Sequence, residues 1–148
     1  MICMKTQTEQ PQVTQQHPVC EAVVVHCIDF RIQKYLNGHF DERFPNGYDV
    51  ISLAGGVKHL LEDAEDKNIE LEELFVSERL HHPKRIILIQ HEDCGAYGGS
   101  KAFLDFKAEQ AFQEEQLAKA EELLKKHFPK ALVEKMLVSL SGKRISVV

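Results

Sequence analysis

The chain has 148 residues, 43% of them hydrophobic and 28% charged, with a net charge of -5. This is enough for one domain with a proper core, in the composition range of ordinary globular proteins. No basic block marks a nucleic-acid partner, and the longest apolar runs fall far short of a membrane span.

Residues 1–18 are polar, rich in Gln and Thr, and lack the apolar core of a secretion signal. They predict a flexible or partner-draped arm ahead of a single domain over residues 19–148, in a cytoplasmic protein. The four cysteines are Cys3, Cys20, Cys27 and Cys94. In a chain of this length without a secretion signal they read as free or metal-bound thiols rather than disulfides.

A first strand is predicted from Val19 to His26, built on Ala22-Val23-Val24-Val25. The cluster Cys27-Ile28-Asp29-Phe30-Arg31 follows and leads into a short helix over Ile32 to Leu36, stopped by Asn37-Gly38. Pro45-Asn46-Gly47 is a turn signal, and Tyr48 to Leu53 reads as the second strand. Ala54-Gly55-Gly56 permits a tight strand-to-helix junction. Helices are predicted over Val57 to Asp66 and Leu71 to Leu80, the second burying Leu71, Leu74, Phe75 and Leu80. Arg85 to Gln90 is the third strand and delivers the cluster His91-Glu92-Asp93-Cys94-Gly95. A glycine-rich loop then precedes a long helix over Lys101 to Phe128, with Ser100 as its N-cap. Met136 to Leu140 and Arg144 to Val148 complete the strands. The fold class is α/β. It has a central, mostly parallel sheet of four strands plus a short C-terminal edge strand, with helices on both faces.

In such sheets ligands bind outside the carboxyl ends of the strands, where strand order switches. If the first and third strands are neighbours, Cys27, His91 and Cys94 converge there. Two thiolates and an imidazole suit a zinc ion with an open fourth position. Taken alone, these residues admit a second reading as buried, inert cysteines. Asp29 and Arg31 likewise read either as a carboxylate that orients metal-bound water, fixed by arginine, or as a salt bridge tying a loop to a helix start.

As they stand, Cys27-x-Asp29-x-Arg31 and His91-x-x-Cys94-Gly95 resemble the paired motifs of the β-class carbonic anhydrases. Ala54-Gly55-Gly56 is similar to that family's small-residue motif after the second strand. The resemblance spans residues 20 to 148. It implies Cys27, His91 and Cys94 as ligands of Zn2+, and Asp29 and Arg31 as the catalytic dyad. It also implies Gly55, Gly56 and Gly95 at the substrate. The implied reaction is reversible hydration of carbon dioxide to bicarbonate by zinc-bound hydroxide, in a homodimer or higher homo-oligomer. Hydrolysis of carbonyl sulfide or carbon disulfide on the same scaffold is one alternative. Another is a catalytically silent zinc domain in which Asp29 closes the site.

Overall fold

A computed structural model describes residues 19–141 and 144–148. The predicted arm and Cys3 lie outside the described residues, as do two residues of the turn before the last strand.

Five strands form one sheet in the order β2-β1-β3-β4-β5. They are β1 (Val23–His26), β2 (Asp49–Ser52), β3 (Arg85–His91), β4 (Leu132–Ser139) and β5 (Arg144–Val147). All pairings are parallel except the antiparallel edge pair β4–β5. The helices are α1 (Phe30–Arg43), α2 (Lys58–Glu62), α3 (Ile69–His81) and α4 (Phe106–His127).

The β-branched runs are continuous because both faces of the inner strands are covered. Val23, Val25, Ile86 and Leu88 pack against α2, α3 and α4. Ala22, Val24, Ile87 and Ile89 point the other way, against Ile32, Leu36 and Phe40 of α1. The chain steps from β1 outward to β2, then returns to place β3 on the other side of β1. The switch in strand order therefore falls between β1 and β3, which are in register from Val23↔Ile86 to Val25↔Leu88.

Several boundaries differ from the sequence reading, each for a physical reason. Helix α1 runs through Asn37-Gly38 to Arg43, because Leu36 and Phe40 continue the buried stripe begun at Ile32. The stretch Val57 to Asp66 breaks after Glu62 and resumes as a 3-10 turn over Glu65–Lys67. Phe75 is 44% exposed, leaving Leu71 and Leu74 as the buried apolar residues of α3. Helix α4 starts at Phe106, capped by Asp105, whose Oδ1 accepts the Ala108 N–H at 2.8 Å. Ser100 instead opens a 3-10 turn. Strand β4 begins at Leu132, four residues before the predicted start, and pairs along the whole of β3. Its Glu134 takes Arg43 and Arg85 at 2.8 Å each, so a charged residue inside this strand is paired rather than solvated.

One buried carboxylate is thermodynamically notable. Glu70 on α3 is fully buried; its Oε2 accepts the Leu60 N–H at 3.0 Å, and its Oε1 has no hydrogen-bond partner among the described residues. Burial pushes its pKa up to about 8, against the pull of the Leu60 bond, with the Asp63 charge adding to the rise.

Candidate metal centre

Strands β1 and β3 end side by side. Cys27 follows β1 directly, and His91 is the last residue of β3. The segment after β3 turns at Asp93, which is left-handed with φ 57°, and brings Cys94 back toward Cys27. All three side chains are buried. The two sulfurs lie 3.9 Å apart, and the candidate donor atoms of Cys27, His91 and Cys94 lie within 4.8 Å of one another.

The imidazole is oriented by its own neighbour. Nδ1 of His91 lies 2.7 Å from the Glu92 carbonyl oxygen, which can only accept, so Nδ1 carries the proton. Among the described residues Nε2 has no hydrogen-bond partner, so its lone pair is buried and unused. A buried acceptor without a partner is costly, and a metal ion would satisfy it. Tetrahedral zinc with bonds of about 2.3 Å to sulfur holds two sulfurs about 3.8 Å apart, which the Cys27–Cys94 spacing matches. The residues present therefore fit a divalent cation of this type.

The electrostatics agree. The Cys94 thiol hydrogen-bonds Cys27 and drives the Cys27 pKa well below the usual thiol range, against the cost of burial. The His91 side chain and the Gly55 N–H, at 3.3 Å from the Cys27 sulfur, act in the same direction. The bond to Cys27, burial and the Cys27 charge push the Cys94 pKa up in turn. Burial disfavours the His91 cation, but the neighbouring Cys27 sulfur, the Glu92 bond and the Asp29 charge raise its pKa overall. A cation between the two sulfurs would let both ionise.

Asp29 and Arg31 are brought together beside this set. Asp29 caps α1, its Oδ1 accepting the Arg31 N–H at 2.9 Å. The Arg31 guanidinium donates to both Asp29 oxygens, from Nε at 3.0 Å and from Nη2 at 2.6 Å. These bonds hold the Asp29 pKa down at about 2 despite partial burial. Asp29 Oδ2 lies 4.0 Å from His91 Nε2, so an ionised acceptor borders the metal-binding space.

The three glycines occupy different settings. Gly55, at φ +92°, presents its N–H to Cys27; an added Cβ would lie 2.8 Å from that of Lys58. Gly56 touches Gln90 instead: a Cβ there would fall 2.0 Å from its Oε1. Gly95 opens the 3-10 turn after Cys94 and faces open space. Of the two aromatics near the clusters, Phe30 is 84% exposed beside Asp29. Tyr97 packs on Phe112, its hydroxyl accepting from Gln90 at 3.1 Å. His26 is a hydrogen-bonded strand-end residue, with Nδ1 2.8 Å from the Cys27 carbonyl oxygen.

Sequence reasoning missed three contributors. Asp93 reads as an extra negative charge beside the ligands, yet its Oδ2 and carbonyl accept from Arg31 at 2.8 and 2.9 Å. Glu92 has no role in the sequence reading, yet its Oε2 accepts from Ser139, Leu140 and Ser141 and so ties the ligand segment to the β4–β5 turn. Glu109 lies far along the chain and bonds Asp93 and Ser100. No local pattern marks any of them.

An α/β domain with a Cys-His-Cys set at its strand-order switch defines the class of this protein. The sequence model of the family described as "Putative carbonic anhydrase" matches residues 18–148, and the chain belongs to that family. An uncharacterised protein of Rickettsia conorii is 28% identical over 127 residues, covering 81% of this chain and 68% of that one. Among solved structures, the carbonic anhydrase of Glaciozyma antarctica superposes with a TM-score of 0.62 at 18% identity, covering 93% of this chain and 88% of its own. A structure of two tetrameric β-carbonic anhydrases from Sordaria macrospora gives 0.61 at 14% identity, over 88% and 81% of the two chains. The structural likeness establishes a β-carbonic-anhydrase-like fold. No helix among the described residues is long and apolar enough to cross a membrane.

Proposed function

We propose that this protein binds zinc through Cys27, His91 and Cys94 and catalyses the reversible hydration of carbon dioxide to bicarbonate. The observation that carries the reading is the buried Nε2 of His91, without a hydrogen-bond partner among the described residues, facing two sulfurs 3.9 Å apart, with an ionised Asp29 at 4.0 Å. A zinc ion bound there supplies Lewis acidity, making water nucleophilic near neutral pH.

The rest is the work of the chain's own groups. Asp29 is ionised and only accepts hydrogen bonds, so it fixes the direction in which an incoming water points its proton. Arg31 keeps Asp29 charged and, held also by Asp93, keeps it from wandering. Two thiolates offset the charge of a divalent ion, which weakens its Lewis acidity and makes correct orientation by Asp29 matter more. Gly55, Gly56 and Gly95 are assigned to the substrate side, where small residues allow close approach of a linear molecule.

The active form in this reading is a homodimer or higher homo-oligomer in the cytoplasm. A groove of about 870 Å³ between α1 and the β4–β5 edge, bordered by Arg31, Ile32, Tyr35, Leu140 and Ile145, supports a covered surface there, as does the exposed Phe30.

The test is stopped-flow carbon dioxide hydration near pH 8.5 on protein of known zinc content. A rate proportional to bound zinc is expected. A fully zinc-loaded protein without measurable rate would remove the hydration reading.

A further inference from the structure

Helix α4 carries five buried residues: Glu109, Gln113, Leu117, Ala120 and Leu124. They form one stripe at helical spacing. The apolar members pack on the sheet, as expected of a core helix. The polar pair occupies the first two turns. Gln113 accepts from Gln90 at 2.9 Å, and Gln90 in turn accepts the N–H of Val57, just past Gly56. Glu109 is the charged member, only 1% exposed, and a buried carboxylate without partners would be strongly unfavourable.

Both Glu109 oxygens bond the same segment. Oε1 accepts the Asp93 N–H at 2.6 Å, and Oε2 accepts the Ser100 hydroxyl at 2.7 Å. Asp93 lies between the candidate ligands His91 and Cys94 and is left-handed, a conformation that a non-glycine residue keeps only when its surroundings hold it. Its side chain closes the arrangement: Oδ1 accepts the Ser100 N–H at 2.8 Å, and Oδ2 accepts from Arg31 at 2.8 Å. An unbroken series of bonds thus runs from Glu109 through Asp93 to Arg31 and Asp29.

We infer that Glu109 is a positioning residue for the metal centre. By gripping Asp93 and Ser100 from α4, it sets the backbone that spaces His91 from Cys94 and anchors the guanidinium that aims Asp29. A leucine at this position would serve core packing alone; the carboxylate serves the segment. The effect on turnover rests on the hydration reading above, whereas the effect on metal geometry does not.

The test compares Glu109→Ala with Glu109→Gln in the full chain. Zinc release to a chelator and the thiolate-to-metal bands of the cobalt-substituted protein are measured beside hydration. Glu109→Ala is expected to unfold cooperatively and take up one metal ion, but to release zinc about 10- to 100-fold faster and shift the cobalt bands. Its kcat should fall more than its KM rises. Glu109→Gln keeps an acceptor for Asp93, and Ser100 can then accept from its amide, so release and spectrum should return to within a few-fold of wild type. Wild-type release and spectrum in Glu109→Ala would overturn the inference. Should that variant not fold, Ser100→Ala, which removes one of the two bonds, carries the test. Faster release is expected there, and unchanged release overturns it. Release and cobalt spectrum are read without carbon dioxide. A wild-type protein inactive in hydration would therefore count against the reaction and not against Glu109.

Discussion

The two ends of the parallel sheet both gather cysteine, histidine and acidic side chains, and they do opposite things with them. At the amino end, Asp49 accepts from Ser77 at 2.7 Å and from His81 at 2.8 Å, while the Cys20 thiol points to the Ala22 carbonyl at 3.4 Å. That cluster bonds within itself and ties α3 to the start of β2. At the carboxyl end, His91 Nε2 is buried without a hydrogen-bond partner among the described residues, and two sulfurs face each other at 3.9 Å. Residue type alone does not mark a metal centre. An unsatisfied donor set, held in place by its surroundings, makes a candidate for one.

This contrast breaks or sharpens at four points. The largest effect belongs to Cys94→Ser, which should lose stoichiometric zinc after dialysis and reduce hydration by more than about 100-fold. Full zinc occupancy in that variant would remove Cys94 from the ligand set. Asp29→Ala should keep its zinc and lose turnover by about 100-fold. Unchanged turnover would mean that the carboxylate at 4.0 Å from His91 is a helix cap and nothing more.

Glu70 supplies a third case, a buried acid with one oxygen unbonded among the described residues and outside the Cys27-His91-Cys94 donor set. Its pKa is raised to about 8 in the fold, so the unfolded chain gives up this proton first as pH rises. Stability should therefore fall from just above the ordinary carboxylate range up to about pH 8 and then level off. Glu70→Gln keeps the acceptor for Leu60 and should gain on the order of 2–4 kcal/mol at pH 9, with little gain at pH 4. Equal wild-type and variant pH profiles in denaturant titrations would show that Glu70 is ionised at no cost. The smallest effect is expected at the amino end. Asp49→Ala should lower stability by about 1–2 kcal/mol and leave zinc content unchanged. A change in metal stoichiometry there would erase the distinction between the two ends.

The fold was largely legible because its inner strands are covered on both faces. Val23-Val24-Val25 and Ile86-Ile87-Leu88-Ile89 must then be apolar throughout, and the two clusters stand directly after them. The Cys-His-Cys set follows from that placement. What stayed hidden depends on contacts across the chain. The early residues of β4 looked unlike a strand because Glu134 is a partner for Arg43 and Arg85 and not a solvated charge. Asn37-Gly38 looked like a helix stop, but Phe40 and the Phe44–Tyr48 rings beyond it draw α1 onward. Glu109 sits in a helix full of Glu and Lys, where one buried carboxylate is indistinguishable from its exposed neighbours until Asp93 and Ser100 are seen against it.

X-ray absorption at the zinc edge, on protein purified with zinc and then dialysed, reads the ligand set itself. Two sulfur scatterers near 2.3 Å and one imidazole nitrogen at about 2.0–2.1 Å, at one zinc per chain, are expected from Cys27, Cys94 and His91. A chain that retains no zinc, or a coordination shell without sulfur, would contradict it.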